Sequence, residues 1–294
     1  MQNGDRRTGR AVVMWKWVRR GLAGVIALVL LAVAGLYGVS EAMIRRKVEM
    51  PIVPIRASVD PGAIARGQHL AQLYGCNGCH EANLQGAKWA ESFMDGRLYV
   101  ANLTRAMPHY TDAQLARAIR GGVRADGSQL WAMPSESWVA VTDAEMSDLI
   151  AYLRSHPPAG PETPPMTFGP KTRLRIVLGQ VEPTPAWVAE ARAKPALDVG
   201  PAFARGRHLA QTVCSECHGS DLKGHENDTP DLAIAAAYER ADFTRLMRTG
   251  IAADGKEKGL MTEVARGRFS HFTDQDIADL HAYLVARSER TPPT

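Results

Sequence analysis

The chain has 294 residues, of which 22% are charged and 45% hydrophobic. These are values of ordinary globular proteins, and they argue against both wholesale disorder and a polytopic membrane protein. At roughly 100–200 residues per domain there is room for two small domains plus extra segments. The formal charge of +4 and pI near 8.9 do not mark a nucleic-acid binder, because the positive charge is confined to one end. Residues 1–50 hold nine Lys/Arg against Asp5, Glu41 and Glu49, a balance of +6 that leaves −2 for the rest.

In chain order, a basic tail over 1–20 is followed by nineteen uncharged residues, Gly21 to Val39. As a helix this run spans about 28 Å, close to the roughly 30 Å hydrocarbon core of a bilayer. Trp15, Trp17 and Tyr37 stand where interfacial aromatics are expected. Six basic residues precede the run and three follow it, a bias that keeps the N-terminus cytoplasmic and exports the remainder. The competing reading is a cleaved signal peptide with a small-x-small site at Ser40-Glu41-Ala42. The long charged lead and the length of the apolar run favour a retained anchor over 21–40.

Pro51, Pro54 and Pro61 then read as an extended tether over 41–60. A cluster of prolines from Pro157 to Pro165 opens a connection over 157–200, within which Thr172–Gln180 and Ala186–Lys194 are expected as short helices. The expected domains are 61–156 and 201–288, with a tail over 289–294. These two units repeat each other. Arg66-Gly-Gln-His-Leu-Ala-Gln72 matches Arg205-Gly-Arg-His-Leu-Ala-Gln211, Asn83-Leu-Gln-Gly86 matches Asp221-Leu-Lys-Gly224, and Ala113–Val123 matches Ala241–Ile251.

The apolar periodicity of each unit is helical, and no alternating strand pattern competes. Ala63–Tyr74 and Ala202–Val213 lead into the cysteines, and Asp112–Gly121 and Asp242–Thr249 end at glycine. Thr142 and Thr273 are expected N-caps, with Glu145 and Asp276 completing capping boxes, before helices whose apolar faces include Leu149, Leu153, Leu280 and Leu284.

The four cysteines form two Cys-x-x-Cys pairs, each followed at once by histidine: Cys76-Asn-Gly-Cys79-His80 and Cys214-Ser-Glu-Cys217-His218. Cysteines at i and i+3 share one face of a helical turn, so both sulfurs can form thioethers to a porphyrin, with the histidine beneath the iron. A redox dithiol or one zinc site built from all four cysteines are the alternatives. Neither explains a histidine after both pairs within a repeat. The sixth ligand is read from the repeat: an ungapped offset carries Met133 onto Met261, and no other methionine pair coincides. Met107, Met146 and Met247 are expected as core filler. His109, His225 and His271 are alternative sixth ligands, His69 and His208 repeated packing residues, and His156 and His281 surface or interface residues. Arg120 and Arg248 are expected either against haem propionates or at solvated helix ends.

Each unit resembles a class I c-type cytochrome, which implies an all-α fold of two tandem domains after one transmembrane helix, with two covalently bound haem c groups. The resemblance implies thioether attachment at Cys76, Cys79, Cys214 and Cys217 and iron ligation by His80, Met133, His218 and Met261, with no catalytic residue. It further suggests a Pro230 carbonyl accepting from the His218 ring. Ser92 stands at the matching distance from His80, and Asn102-Leu-Thr104 resembles a segment that contacts haem propionates, or else forms a turn and a cap. Six-coordinate iron moves single electrons rather than making bonds. The expected function is a carrier on the periplasmic face of the inner membrane, held by its single-pass helix. It resembles the cytochrome subunits of bacterial dehydrogenases, its expected redox partners being a dehydrogenase, an oxidase or a soluble cytochrome. A dihaem peroxidase or thiosulfate dehydrogenase is the alternative.

Overall fold

The computed structural model describes residues 5–225 and 228–290, with side chains from Met14 onward. The start of the basic tail and the end of the 289–294 tail lie outside the described residues. Helix α1 (Asp5–Ile44) is continuous and runs four residues past the expected anchor. From Met14 to Ile44 it is long and apolar enough to cross a membrane, and none of its most apolar window packs against protein.

The segment that follows is extended, as its prolines require, but it is docked rather than free. Val48 donates to the Gly127 carbonyl (2.9 Å), Ala57 to the Asp112 carboxylate (2.8 Å) and Ser58 to the Ser147 carbonyl (3.1 Å), and Ile55 is buried. Ile55 and these three hydrogen bonds together seat the strap on the first unit.

That unit comprises α2 (Ala63–Leu73), α3 (Cys76–His80), α4 (Leu103–Ala106), α5 (Asp112–Gly121) and α6 (Asp143–Arg154). Connection helices α7 (Pro170–Val177) and α8 (Thr184–Ala193) follow. The second unit contains α9 (Ala204–Leu209), α10 (Ser215–His218), α11 (Arg240–Thr249), α12 (Leu260–Gly267) and α13 (Asp274–Arg290). Between α9 and α10 the helix widens into a π turn at Ala210–Cys214. There the Thr212 and Ser215 hydroxyls take the carbonyls of His208 (2.8 Å) and Gln211 (2.6 Å), side-chain bonds that compete with regular helix pairing.

In each unit the helix leading to the cysteines crosses the C-terminal helix, α2 on α6 and α9 on α13. Leu73, Leu149 and Ile150 fill the first crossing and Ile277, Leu280 and Leu284 the second, all at most 2% exposed. Both crossings occur at a glycine. A Cβ at Gly67 would lie 2.0 Å from the Asp148 carbonyl oxygen, and one at Gly206 would lie 2.0 Å from that of Asp279. Reciprocal capping boxes hold the helix starts at Thr142/Glu145 and Thr273/Asp276, and a third, at Thr111/Gln114, opens α5.

One element departs from the all-helical expectation. Strands β1 (Lys88–Ser92), β2 (Gly96–Tyr99) and β3 (Thr167–Phe168) form a small antiparallel sheet in the order β1-β2-β3. Every residue of β1 is exposed. A strand that buries neither face has no reason to alternate apolar and polar residues, so its sequence carries no period-two signal.

Candidate functional site

Each Cys-x-x-Cys-His motif is a single helical turn whose histidine is aimed by one backbone carbonyl. His80 Nδ1 lies 2.8 Å from the Ala101 oxygen, and His218 Nδ1 lies 2.8 Å from the Pro230 oxygen. A carbonyl can only accept, so in both rings Nδ1 carries the proton and Nε2 keeps its lone pair. Burial holds both rings below the usual histidine range against the opposing pull of the carbonyl. Neutral rings with fixed orientation and an available Nε2 are metal-ligand histidines in their donor chemistry.

The expected Pro230 contact is present. In the first unit the acceptor is Ala101, not Ser92, because the β1–β2 hairpin is inserted between His80 and its partner. The surrounding backbone is otherwise the same: Gly86 and Gly224 donate to the carbonyls of His80 (2.9 Å) and His218 (2.8 Å). Both glycines allow a close approach. A Cβ would meet the Val100 oxygen at 2.2 Å in one unit and the Thr229 oxygen at 2.1 Å in the other. The lack of a side chain lets the acceptor segment reach the histidine.

Asn102 and Thr104 form the turn and cap. Asn102 caps α4 by accepting from the Arg105 amide, and its Nδ2 donates to the carbonyls of Ala159 and Pro161, both at 2.8 Å. Thr104 donates to Asn102 Oδ1 and to Ala159. This buried cluster fastens the connection to the first unit. Arg120 and Arg248 stand in the last turns of α5 and α11, at equivalent places in the two units. Each pairs with the first residue of the C-terminal helix, Asp143 or Asp274, at 2.7 Å.

The cysteines do not have the chemistry of a redox dithiol. Burial pushes the Cys76 and Cys214 thiols up to about 12, and Cys79 and Cys217 are raised as well, whereas reactive dithiols depend on a lowered pKa. Among the described residues no three His, Cys, Asp or Glu side chains gather as a metal site.

Met133 and Met261 are half-buried at the edge of the core. Met107, Met146 and Met247 are fully enclosed at 4% exposure or less, as core filler should be. The Met133 loop is held by the connection, with the Thr184 hydroxyl donating to its carbonyl (3.0 Å). Of the alternative ligands, His109 and His225 are exposed and His271 is half-buried. His281 stacks on Phe243 at 4.6 Å. In the first unit Trp131 Nε1, Trp138 Nε1 and Arg120 Nε and Nη2 are buried donors without a protein partner. Such groups are costly unless satisfied, and they suit a large apolar group with carboxylate edges. With the cysteine, histidine and methionine donors, these residues fit a haem.

One arginine of the second unit links the two attachment regions, which the sequence did not reveal. Arg268, just past α12, pairs with Glu216 between Cys214 and Cys217 at 2.6 Å, and its Nε donates to the Leu73 carbonyl (3.2 Å) at the end of α2. Its guanidinium lies against Gly75, directly before Cys76.

A second contact joins the units on pseudo-equivalent residues: His208 Nε2 bonds Glu145 Oε1 at 2.7 Å. Asp276, the counterpart of Glu145, acts electrostatically on His69, whose ring burial holds below its ordinary range. These histidines are therefore interface residues. Burial alone would raise Glu145, yet the His208 and Thr142 bonds overcome it and hold the carboxyl at about 2. A depressed carboxyl stabilises the fold above its unfolded pKa of about 4.3 and loses that contribution as pH falls toward its folded value. The stability difference between the parent protein and Glu145→Gln should therefore be full at neutral pH and shrink between about pH 4.5 and 2, as read by denaturant titration at each pH.

The family model described as Cytochrome c matches residues 64–157 and 203–288, more than half of the chain. The chain belongs to the cytochrome c family. Among its relatives, the fructose dehydrogenase cytochrome subunit of Gluconobacter japonicus is 28% identical over 80% of this chain and 54% of its own length. An alcohol dehydrogenase (quinone) cytochrome c subunit of Gluconacetobacter polyoxogenes is 31% identical over 76% and 56%. A diheme cytochrome c-type protein of Cereibacter sphaeroides is 26% identical over 91% of this chain and 98% of its own. This cytochrome thus spans about half the length of the dehydrogenase subunits and nearly all of the diheme protein. It carries two covalent haem c groups, one in each matched region.

Proposed function

We propose that this cytochrome is a membrane-anchored, periplasm-facing relay that passes single electrons from a dehydrogenase, through its two haem units, to an oxidase or a soluble cytochrome. Cys76 and Cys79 would hold one haem by thioethers and Cys214 and Cys217 the other, with His80 and Met133 as ligands to one iron and His218 and Met261 to the other. Bound haem supplies the one-electron iron couple. The protein fixes the histidine tautomers through Ala101 and Pro230, and ligation by both methionines would close the iron to substrate.

The observation that carries this reading is the placement of Arg268, which pairs with Glu216 inside the second attachment motif and reaches across to the Leu73 carbonyl just ahead of the first. Two units held together at Arg268 and His208 can pass an electron between their haems, whereas a peroxidase needs an open iron position that paired methionines would close. Nothing in the fold or the relatives favours that alternative.

Haem assay of the purified full chain should give two haems c per polypeptide. Affinity purification from detergent-solubilised membranes should bring down a dehydrogenase whose substrate reduces both haems. One haem per chain, or rapid peroxide turnover by the isolated protein, would refute the relay.

A further inference from the structure

The hairpin that interrupts the first unit displays apolar side chains with no protein beneath them. At its turn Phe93 is 86% exposed, with the exposed Met94 beside it. Bare apolar surface forfeits about 25 cal/mol for every Å² left unburied. Helix α7 extends the same surface. Its Ile176 is fully buried against the protein, while Leu174 and Leu178, one turn apart on the other side, are exposed and flanked by Lys171 and Arg175. The two pieces are fastened together: the Lys171 and Gly169 amides donate to the carbonyls of Met94 (2.9 Å) and Asp95 (3.1 Å), and the Lys171 ammonium pairs with Asp95 at 3.1 Å.

What this surface faces follows from α1. Arg173, in the middle of α7, donates to Ser40 Oγ (2.9 Å) and Glu41 Oε2 (2.8 Å), and its guanidinium lies 4.7 Å from the centre of the Tyr37 ring. Tyr37 closes the apolar run of α1, at the level where a spanning helix leaves the hydrocarbon. The same bonds tie Ser40-Glu41 into the folded part. Helix α7 and the hairpin turn are thus held beside the exit of the anchor. A short apolar stripe bordered by Lys and Arg at that height has the character of an element lying in the headgroup layer.

We infer that Phe93, Met94, Leu174 and Leu178 form a membrane-surface dock, a second foot that seats the first haem unit on the lipid around α1. The inference rests on α1 spanning the membrane. With anchor and dock both engaged, the first unit has a fixed tilt over the bilayer, and the second unit follows through Arg268 and His208.

Haem attachment consumes all four native cysteines, so an introduced cysteine gives a single nitroxide site. Full-length protein in nanodiscs of phosphatidylethanolamine and phosphatidylglycerol is labelled at Phe93→Cys, Leu178→Cys, Val59→Cys or Leu30→Cys, and collision with oxygen and with a nickel chelate is read by power saturation. Leu30, within the apolar run, should meet oxygen and exclude nickel. Val59, at 98% exposure, should meet both. Phe93 and Leu178 should side with Leu30, at an immersion of roughly 5–10 Å. If they match Val59 while Leu30 remains in lipid, the dock is wrong and the anchor stands. If Leu30 itself matches Val59, the anchor fails and the dock with it. Exclusion of both reagents at Phe93 would mean that protein covers the surface, which also overturns the dock.

Discussion

Gly206→Ala should destabilise the second unit severely, and Gly67→Ala the first, although each adds only one methyl group. At both positions the new Cβ falls 2.0 Å from a backbone carbonyl of the crossing helix and within 2.7 Å of a tyrosine Cβ, that of Tyr152 or Tyr283. A side chain can rotate away from such a contact, but a carbonyl in a helix cannot. The helices must separate, and separation unpacks the layer of Leu and Ile residues beneath them. The expected loss is about 3 kcal/mol, at the upper end for overpacking, or roughly 12–24 °C in melting temperature for a unit of this size. Gly267→Ala is the control, since nothing lies within 4 Å of its Cβ position and alanine is the better helix former. Calorimetry should show the melting temperature held or raised in that variant and lowered in the other two. A Gly206→Ala protein that melts with its parent would mean that the crossing is looser than the geometry requires.

The glycines illustrate what was legible in the sequence. Their recurrence within Arg-Gly-x-His-Leu-Ala-Gln marked a repeated unit, and Thr142 and Thr273 marked the helix starts, because capping and periodicity are local rules written in local residues. The Cys-x-x-Cys-His turns were legible for the same reason. Features made by contact between distant segments were not. The His80 partner is Ala101, farther along than Pro230 is from His218, because an exposed hairpin lengthened the loop, and an exposed hairpin leaves no pattern of burial in its residues. Arg268 and Glu216 are 52 positions apart and ordinary as surface charges. Only the docking of α12 beside two attachment helices gives the pair its place. The prolines show why the stretch beyond α1 is extended, yet its seating depended on where Ile55 found a core.

Replacing Met261 with histidine should lower the reduction potential of one haem and leave the other nearly unchanged, and Met133→His should do the reverse. A thioether is a weaker donor than imidazole and favours the reduced iron, so exchanging it for nitrogen stabilises the oxidised form. The shift should be on the order of 0.1–0.2 V, within the roughly 0.8 V span that axial ligands cover. Each variant should also lose the sulfur-to-iron charge-transfer absorption of its own haem while keeping covalent attachment, because the cysteines are untouched. Met107→Leu, Met146→Leu and Met247→Leu test the specificity of this assignment: all three side chains are enclosed in the core, and their exchange should alter stability slightly and the potentials not at all. Survival of both absorption bands in the double variant would show that other sulfur donors complete the coordination, whereas a parent protein lacking a band would point to a histidine such as His271. The two single variants also identify each step of a potentiometric titration with a unit. Because Arg268 and Glu216 lie between those units as an opposed charge pair, Arg268→Gln leaves an uncompensated Glu216 carboxylate beside both attachment turns, and it should move the two assigned steps downward together.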